Sequence, residues 1–112
     1  MDELLVISLT YEIYKKIATL NTTIDKKYRH TISEPAIKTC LDLMQQLILA
    51  KHAPKALKQK YLINADSHGE LLSLQVRSLL ELKLANETNI LKIQAKLTEI
   101  RRQIGGWRKS VN

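Results

Sequence analysis

The sequence predicts an all-α protein, an antiparallel up-down-up-down four-helix bundle with a long third helix. Apolar residues recur at spacings of three and four in four segments, which is typical of amphipathic helices. Only three Gly and two Pro interrupt 112 residues, so turns are scarce and long regular segments are expected. Aromatic residues make up 4% with no Phe, which disfavours a β-sandwich. Residues 1–112 form one domain, because so short a chain has no room for two cores.

The first segment carries its apolar residues on one helical face. These residues lie three or four positions apart and are Val6, Leu9, Ile13, Ile17 and Leu20. The pattern weakens at residues 21–23, where short polar side chains compete with the helix for backbone hydrogen bonds. Residues 25–30 are then expected to form a polar connector.

The second segment is expected to begin with Thr31 or Ser33 as its N-cap and with Glu34 and Pro35 in its first turn. Its apolar positions form a stripe that comprises Ile37, Leu41, Met44 and Ile48. The stripe is widened by Cys40, Leu43 and Leu47. A stripe this wide predicts contact with more than one neighbour, either a second helix or a second subunit.

The third segment follows a break at residues 51–54 and runs from about residue 55 to residue 84. Residues 64–69 look locally like a turn or a fresh N-cap. The flanking apolar residues nevertheless stay near one face of a continuous helix, and they are Leu57, Tyr61, Leu72, Val76, Leu79 and Leu80. We therefore expect a single long helix with a weak point at Gly69.

The fourth segment, after Asn86, has the most regular pattern in the chain. Its apolar residues are spaced alternately by three and four and are Ile90, Ile93, Leu97, Ile100, Ile104 and Trp107. This seam is suited to left-handed bundle packing. Gly105 and Gly106 each cost about 1 kcal/mol in a helix, which suggests close approach of a helix or chain, or else termination of the helix. Trp107 is expected in the core or a subunit interface.

No set of residues in the sequence predicts catalysis or a bound metal or cofactor. His30, His52 and His68 lie in or near connectors, without a second ligand at helical spacing. Cys40 is the single cysteine and is expected to be a buried core residue. No apolar run approaches 18 residues and the first residues are acidic. We expect a soluble cytoplasmic protein without membrane contact and without enzymatic activity.

The charge of the chain predicts a polyanionic partner. The formal net charge is +7 and the sequence pI is about 9.6. Three basic clusters contain Lys26, Lys27 and Arg29; Lys51, Lys55, Lys58 and Lys60; and Arg101, Arg102, Arg108 and Lys109. A purely solvating surface is the alternative for any one of these residues, and a membrane surface is a weaker one. We expect salt-sensitive contacts to phosphate with little base readout, Tyr28 being the one candidate for stacking.

Three sequence motifs resemble those of the accessory variability determinant (Avd) proteins of diversity-generating retroelements. Residues 26–33, KKYRHTIS, are similar to the family's segment PKKYRxTLG, in which x is Phe or Tyr. Residues 65–77, ADSHGELLSLQVR, are similar to its ANxxLExLRxxLR helix. Residues 99–110, EIRRQIGGWRKS, are similar to the family's ending. That ending begins with Glu, continues with either Ile or Val, and then reads GRxLGGWxKS. The motifs occur in the family's order and together span almost the whole chain.

The resemblance implies a four-helix bundle that assembles as a homopentamer. Such proteins bind a reverse transcriptase and its template RNA, and they support mutagenic copying without being catalysts. On the matched positions, Arg77 and Arg102 are basic residues of this family, with Arg77 linked to partner binding. Asp25, Ser33 and Ser73 depart from the family's proline, glycine and first helix-three arginine, and Ser73 puts the strength of contact through helix three in doubt.

The sequence therefore predicts an accessory protein that binds reverse transcriptase and nucleic acid, RNA in the first place and DNA in the second. The predicted binding residues are Lys26, Lys27, Arg29, Lys58, Arg77, Arg101, Arg102 and Arg108. The predicted residues of the core or oligomer interface are Ile100, Ile104, Gly105, Gly106 and Trp107. The alternative function is a self-assembling structural bundle, of the type encoded in intervening sequences of ribosomal RNA genes, without a polymerase partner.

Overall fold

Four long helices make up most of the computed structural model, which describes residues 3–112. They are α1 (Glu3–Asn21), α2 (Glu34–His52), α3 (Lys55–Glu81) and α4 (Glu87–Ser110). No strand occurs among the described residues. The predicted all-α fold with a long third helix is confirmed, because α3 has 27 residues and continues through Gly69 without a break.

The helices form a closed ring in which each packs against its neighbours in sequence and α1 packs against α4. Within residues 3–112, no Cα atoms of the diagonal pairs α1–α3 and α2–α4 lie within 8 Å of each other. Short loops join antiparallel neighbours, as an up-down-up-down bundle requires. The bundle is 44 Å long, close to the length of about 40 Å expected for a helix of 27 residues.

The predicted seam of α4 is confirmed at every position, since all six of its residues are buried. In α1 the predicted face is buried at four positions, while Leu9 is only half-buried. Thr10 takes the fifth buried place. Its hydroxyl donates a hydrogen bond of 2.8 Å to the Val6 carbonyl, so the polar group is satisfied inside the core.

In α2 the predicted stripe lies on the edge of the buried face. Leu41 and Ile48 are 41% and 43% exposed. The positions that line the core are Ala36, Thr39, Cys40, Leu43, Leu47 and Ala50. The prediction gave most weight to large side chains, whereas close helix packing places alanines and a threonine against neighbouring helices. Leu41 and Ile48 therefore leave part of the wide stripe exposed on the surface of the described chain.

In α3 the predicted face is confirmed in the second half of the helix and differs only in the first half. The predicted residues that are buried are Leu72, Val76 and Leu79. Leu57 is exposed, while Leu62, Ala65 and Gly69 are buried. Gly69 lets α4 approach closely, because a Cβ atom at this position would lie 3.2 Å from Cγ of Arg101. The predicted weak point of the helix is thus a close helix contact.

The connector before α2 is helical, contrary to prediction. Residues Lys26–Tyr28 form a helical turn and Arg29–Ser33 a π-helical one that runs directly into α2. Asp25 begins this segment as its N-cap, since its carboxylate accepts a 3.1 Å hydrogen bond from the Lys27 amide. Ser33 makes no side-chain cap bond and donates to the Asn21 side chain.

The glycine pair near the C-terminus does not terminate α4, which continues to Ser110. Within the described chain, a Cβ atom on Gly105 would meet nothing outside the local helix backbone within 4 Å. Termination and close approach by another helix of the same chain are therefore both wrong explanations for Gly105. Trp107 points into the core, as predicted.

Candidate nucleic-acid interface

Two of the predicted binding residues donate hydrogen bonds to backbone carbonyls at or next to the connectors. The Arg29 guanidinium donates to the carbonyls of Ile24 (2.8 Å) and Thr22 (3.1 Å), which closes the loop after α1. Lys58 Nζ donates to the carbonyls of Ala50 (2.7 Å) and Lys51 (3.1 Å) at the end of α2. Those carbonyls lack intrahelical donors, so Lys58 caps the C-terminus of α2. Its positive charge also interacts favourably with the negative end of the helix dipole.

Asp66 brings two other predicted binding residues together between α3 and α4. Its carboxylate lies 3.1 Å from Nη1 of Arg108 and 3.9 Å from Nε of Arg101. Asp66 stands in the middle of a continuous helix, so the loop or capping role considered for it on sequence grounds is wrong. Arg101 and Arg108 therefore help to join two helices, and they are only partly exposed.

The remaining arginines, Arg77 and Arg102, form exposed ion pairs within their own helices. Arg77 Nε lies 2.6 Å from Glu81, and Arg102 donates two hydrogen bonds of 2.9 and 2.6 Å to Glu99. Hydrogen bonds from Arg102 and then from Gln103 lower the pKa of Glu99 to about 2. Exposed pairs of this kind are weak, so either arginine can exchange its carboxylate for a phosphate at little cost.

The free cations on the surface are all lysines. Each of the five arginines is engaged in an ion pair or a backbone hydrogen bond. Ten lysines form neither an ion pair with a carboxylate nor a side-chain hydrogen bond to a backbone carbonyl within residues 3–112, and they are Lys16, Lys26, Lys27, Lys51, Lys55, Lys60, Lys83, Lys92, Lys96 and Lys109. The surplus of positive charge is thus carried by flexible point charges and not by planar guanidinium groups.

One end of the bundle unites two basic clusters that are far apart in sequence. The amide of Gln59, near the start of α3, donates a 3.4 Å hydrogen bond to the Arg108 carbonyl at the end of α4. Lys58 bridges the same end to α2. We call this surface the basic end, and its free cations are Lys51, Lys55, Lys60 and Lys109. The proximity of these two clusters was not predicted from the sequence, because it depends on how the helices pack against one another.

A second basic surface lies in the groove between α1 and α4, with a volume of about 350 Å³. Its lining residues are Glu12, Lys15, Lys16, Thr19, Leu20, Asn89, Lys92 and Ile93. The sequence analysis did not select Lys15 and Lys16, since they stand outside the three clusters. Their spacing from Glu12 on a helical face was the available signal.

The first connector presents Lys26 and Lys27 to solvent. Lys27 Nζ lies 5.1 Å from the centroid of the Tyr28 ring, and that ring also packs against the core. Tyr28 is consequently covered on part of its surface by its own chain. This arrangement weakens the sequence-based expectation that Tyr28 serves as a platform for stacking bases.

No metal-binding cluster is found in the part of the chain that the structure describes. Residues 3–112 contain no group of three or more His, Cys, Asp or Glu side chains arranged to hold an ion. His30 Nδ1 instead lies 3.2 Å from Glu34, one turn away. None of the helices within these residues has both the length and the apolar composition that a membrane span requires.

No protein-family model matches the chain, and no curated protein matches it in sequence. The likeness to the Avd proteins rests on three sequence motifs. All three motifs supply structural contacts in the bundle. Arg29 of the first closes a loop, while Asp66 of the second pairs with Arg108 of the third.

Proposed function

We propose that this chain is a non-catalytic accessory protein that binds RNA through its lysine surfaces and acts together with a reverse transcriptase. The observation that carries the proposal is the set of ten lysines that bind neither a carboxylate nor a backbone carbonyl of the described chain. A surface that only served solubility would carry both signs of charge interspersed. The partner enzyme and the role in mutagenic copying come from the resemblance to Avd proteins.

Lysine contacts to phosphate fix position along a strand without reading its sequence. Since the arginines are engaged within the protein, few guanidinium groups are left for bidentate contacts to guanine. The proposed binding is therefore non-specific, with DNA as a second ligand. Arg77 and Arg102 are exposed and weakly paired, which makes them suitable for contacts with the polymerase.

We expect RNA affinity to fall steeply with salt. Four lysine–phosphate contacts on a single strand would lower the affinity about fiftyfold between 50 and 200 mM salt, through the release of about 0.7 counterions per contact. Fluorescence anisotropy of a labelled 20-nucleotide RNA measures this dependence. Absence of binding at about 50 mM salt, both alone and with the reverse transcriptase, would contradict the proposal.

A self-assembling structural bundle is the second candidate function, and the exposed face of α2 favours it. Leu41 and Ile48 are exposed one above the other at helical spacing, with the half-buried Ile37 and Met44 on the same stripe. Apolar rows of this kind on a small bundle are typical of contacts between subunits. A homo-oligomer, a pentamer on the resemblance, is part of both candidate functions, whereas RNA binding belongs only to the first.

We expect the double variant Leu41→Ser/Ile48→Ser to dissociate the oligomer. Light scattering of the wild-type chain should give a mass several times 12.9 kDa, and the variant should approach the monomer mass. Leu91→Ser is a matched control, because Leu91 is exposed to a similar extent on α4. A wild-type mass of one chain would contradict self-assembly, and an equal effect of the control would contradict its placement on α2.

A further inference from the structure

We propose that the groove between α1 and α4 binds the phosphodiester backbone of one nucleic-acid strand. The inference deepens the proposed function, because it rests on nucleic-acid binding by this chain and names the surface that performs it. This surface is neither of the connector clusters nor the C-terminal cluster that the sequence indicated. Its positive charge comes from two helices that face each other across the groove.

Like charges face one another across this groove. Lys15 and Lys16 lie on the α1 side and Lys92 on the α4 side. Glu12 is the one carboxylate among the described lining residues, and it already pairs with Lys15 at 3.0 Å. Lys16 and Lys92 are left without an anion, so their mutual repulsion is relieved when an anionic group enters between them.

Lys96 extends the positive charge along α4. It lies one helical turn from Lys92, about 6 Å along the helix axis. The pKa of Glu12 is lowered chiefly by the hydrogen bond and charge of Lys15, with smaller contributions from Lys96 and Lys16. Lys96 therefore lies near enough to Glu12 to add to the positive potential of the groove.

The shape of the groove suits a chain of phosphates better than a base. A concave, positively charged surface concentrates its potential and attracts anions more strongly than a convex surface with the same charge. The neutral polar residues Thr19 and Asn89 lie beside the lysines, while Leu20 and Ile93 are buried beneath. No aromatic residue lines the groove in the described chain, so bases find no stacking surface there.

The groove also has cations that are not committed to the backbone, unlike two of the predicted connector cations. Its lysines stand on two long helices, whereas Arg29 and Lys58 are committed to backbone carbonyls. The basic end has four free lysines as well, and it is the natural comparison for a test. The two surfaces carry the same kind of charged group and differ in its placement, which is on two facing helices in the groove and around helix ends at the basic end.

The test compares Lys16→Gln/Lys92→Gln with Lys55→Gln/Lys109→Gln, two double variants of equal net charge. The probe is a labelled 20-nucleotide oligouridine, and fluorescence anisotropy at about 100 mM salt gives the affinity. Loss of two phosphate contacts should weaken binding by the groove variant about 25-fold and reduce the slope of log affinity against log salt by about 1.4. The control should change affinity by less than a quarter of that factor.

Circular dichroism of both variants establishes that the bundle is folded, and Lys16→Arg/Lys92→Arg should restore binding because it keeps both charges. Equal losses in the two Gln variants would overturn the groove proposal and indicate a general effect of net charge. A loss confined to the control would also overturn it, while nucleic-acid binding itself would stand. Failure of the wild-type chain to bind would overturn the proposed function and the groove together.

Discussion

Replacing Trp107 with alanine is expected to lower the free energy of unfolding by about 3–5 kcal/mol. Trp107 is 2% exposed and is the largest buried side chain in the bundle, at the last position of the α4 seam. Its removal loses apolar burial and leaves a cavity that the long helices cannot fully close. Because small domains are stable by only about 5–15 kcal/mol, the loss is a large part of the total. Urea denaturation followed by circular dichroism measures it.

Leu74→Ala is the control for this prediction. Leu74 is 56% exposed on α3, so its truncation should change stability by no more than about 0.5 kcal/mol. Both variants keep the net charge of the chain. Should Trp107→Ala prove as stable as the control, the position of the indole in the core would be wrong.

The thiol of Cys40 is expected to react about a thousandfold more slowly with Ellman's reagent than an ordinary thiol at pH 8. Burial raises the pKa of Cys40 from 9.0 to about 12, and the thiolate is the reactive form. Cys40 is fully buried, and its thiol donates a weak 3.7 Å hydrogen bond to the Thr10 carbonyl. Absorbance at a fixed reagent concentration gives the rate in native buffer.

The same sample in concentrated urea is the control, where labelling should be complete at once. Rapid labelling in native buffer would contradict the burial of Cys40. Stability should also fall as the pH rises from about 9 towards about 12, since the unfolded thiol loses its proton first. Cys40→Ala removes this contribution, so its stability relative to wild type should improve across that range.

The sequence was most informative where large apolar residues make up most of the buried face. The α4 seam satisfies this condition at every position, and so do Val6, Ile13, Ile17 and Leu20 of α1. In α2 the buried face includes Ala36 and Ala50, whose small side chains carry little weight in a hydrophobic pattern. Periodicity therefore found the helix and the buried Cys40, Leu43 and Leu47, but it centred the stripe on residues at the edge of the core. The helical connector was missed because Asp25 was not considered as an N-cap.

The candidate binding surfaces were harder to predict, because the partners of a charged residue depend on how the helices pack. Asp66 and Arg108 are 42 residues apart in sequence, yet they form an ion pair. The lysines of the groove come from α1 and α4, at opposite ends of the chain. Clusters along the sequence selected cations such as Arg29, which the folded chain uses for its own backbone.

Gly69 helps to fix the axial register of α3 against α4. The α4 seam repeats every seven residues, and an apolar repeat alone would tolerate a slide of one heptad almost as well as the native alignment. Gly69 removes this degeneracy, since Arg101 fits over the missing side chain, while Asp66 pairs with Arg108 on the same face. A slide in either direction would separate these groups. The contacts around one glycine thereby select a single register from several apolar alternatives.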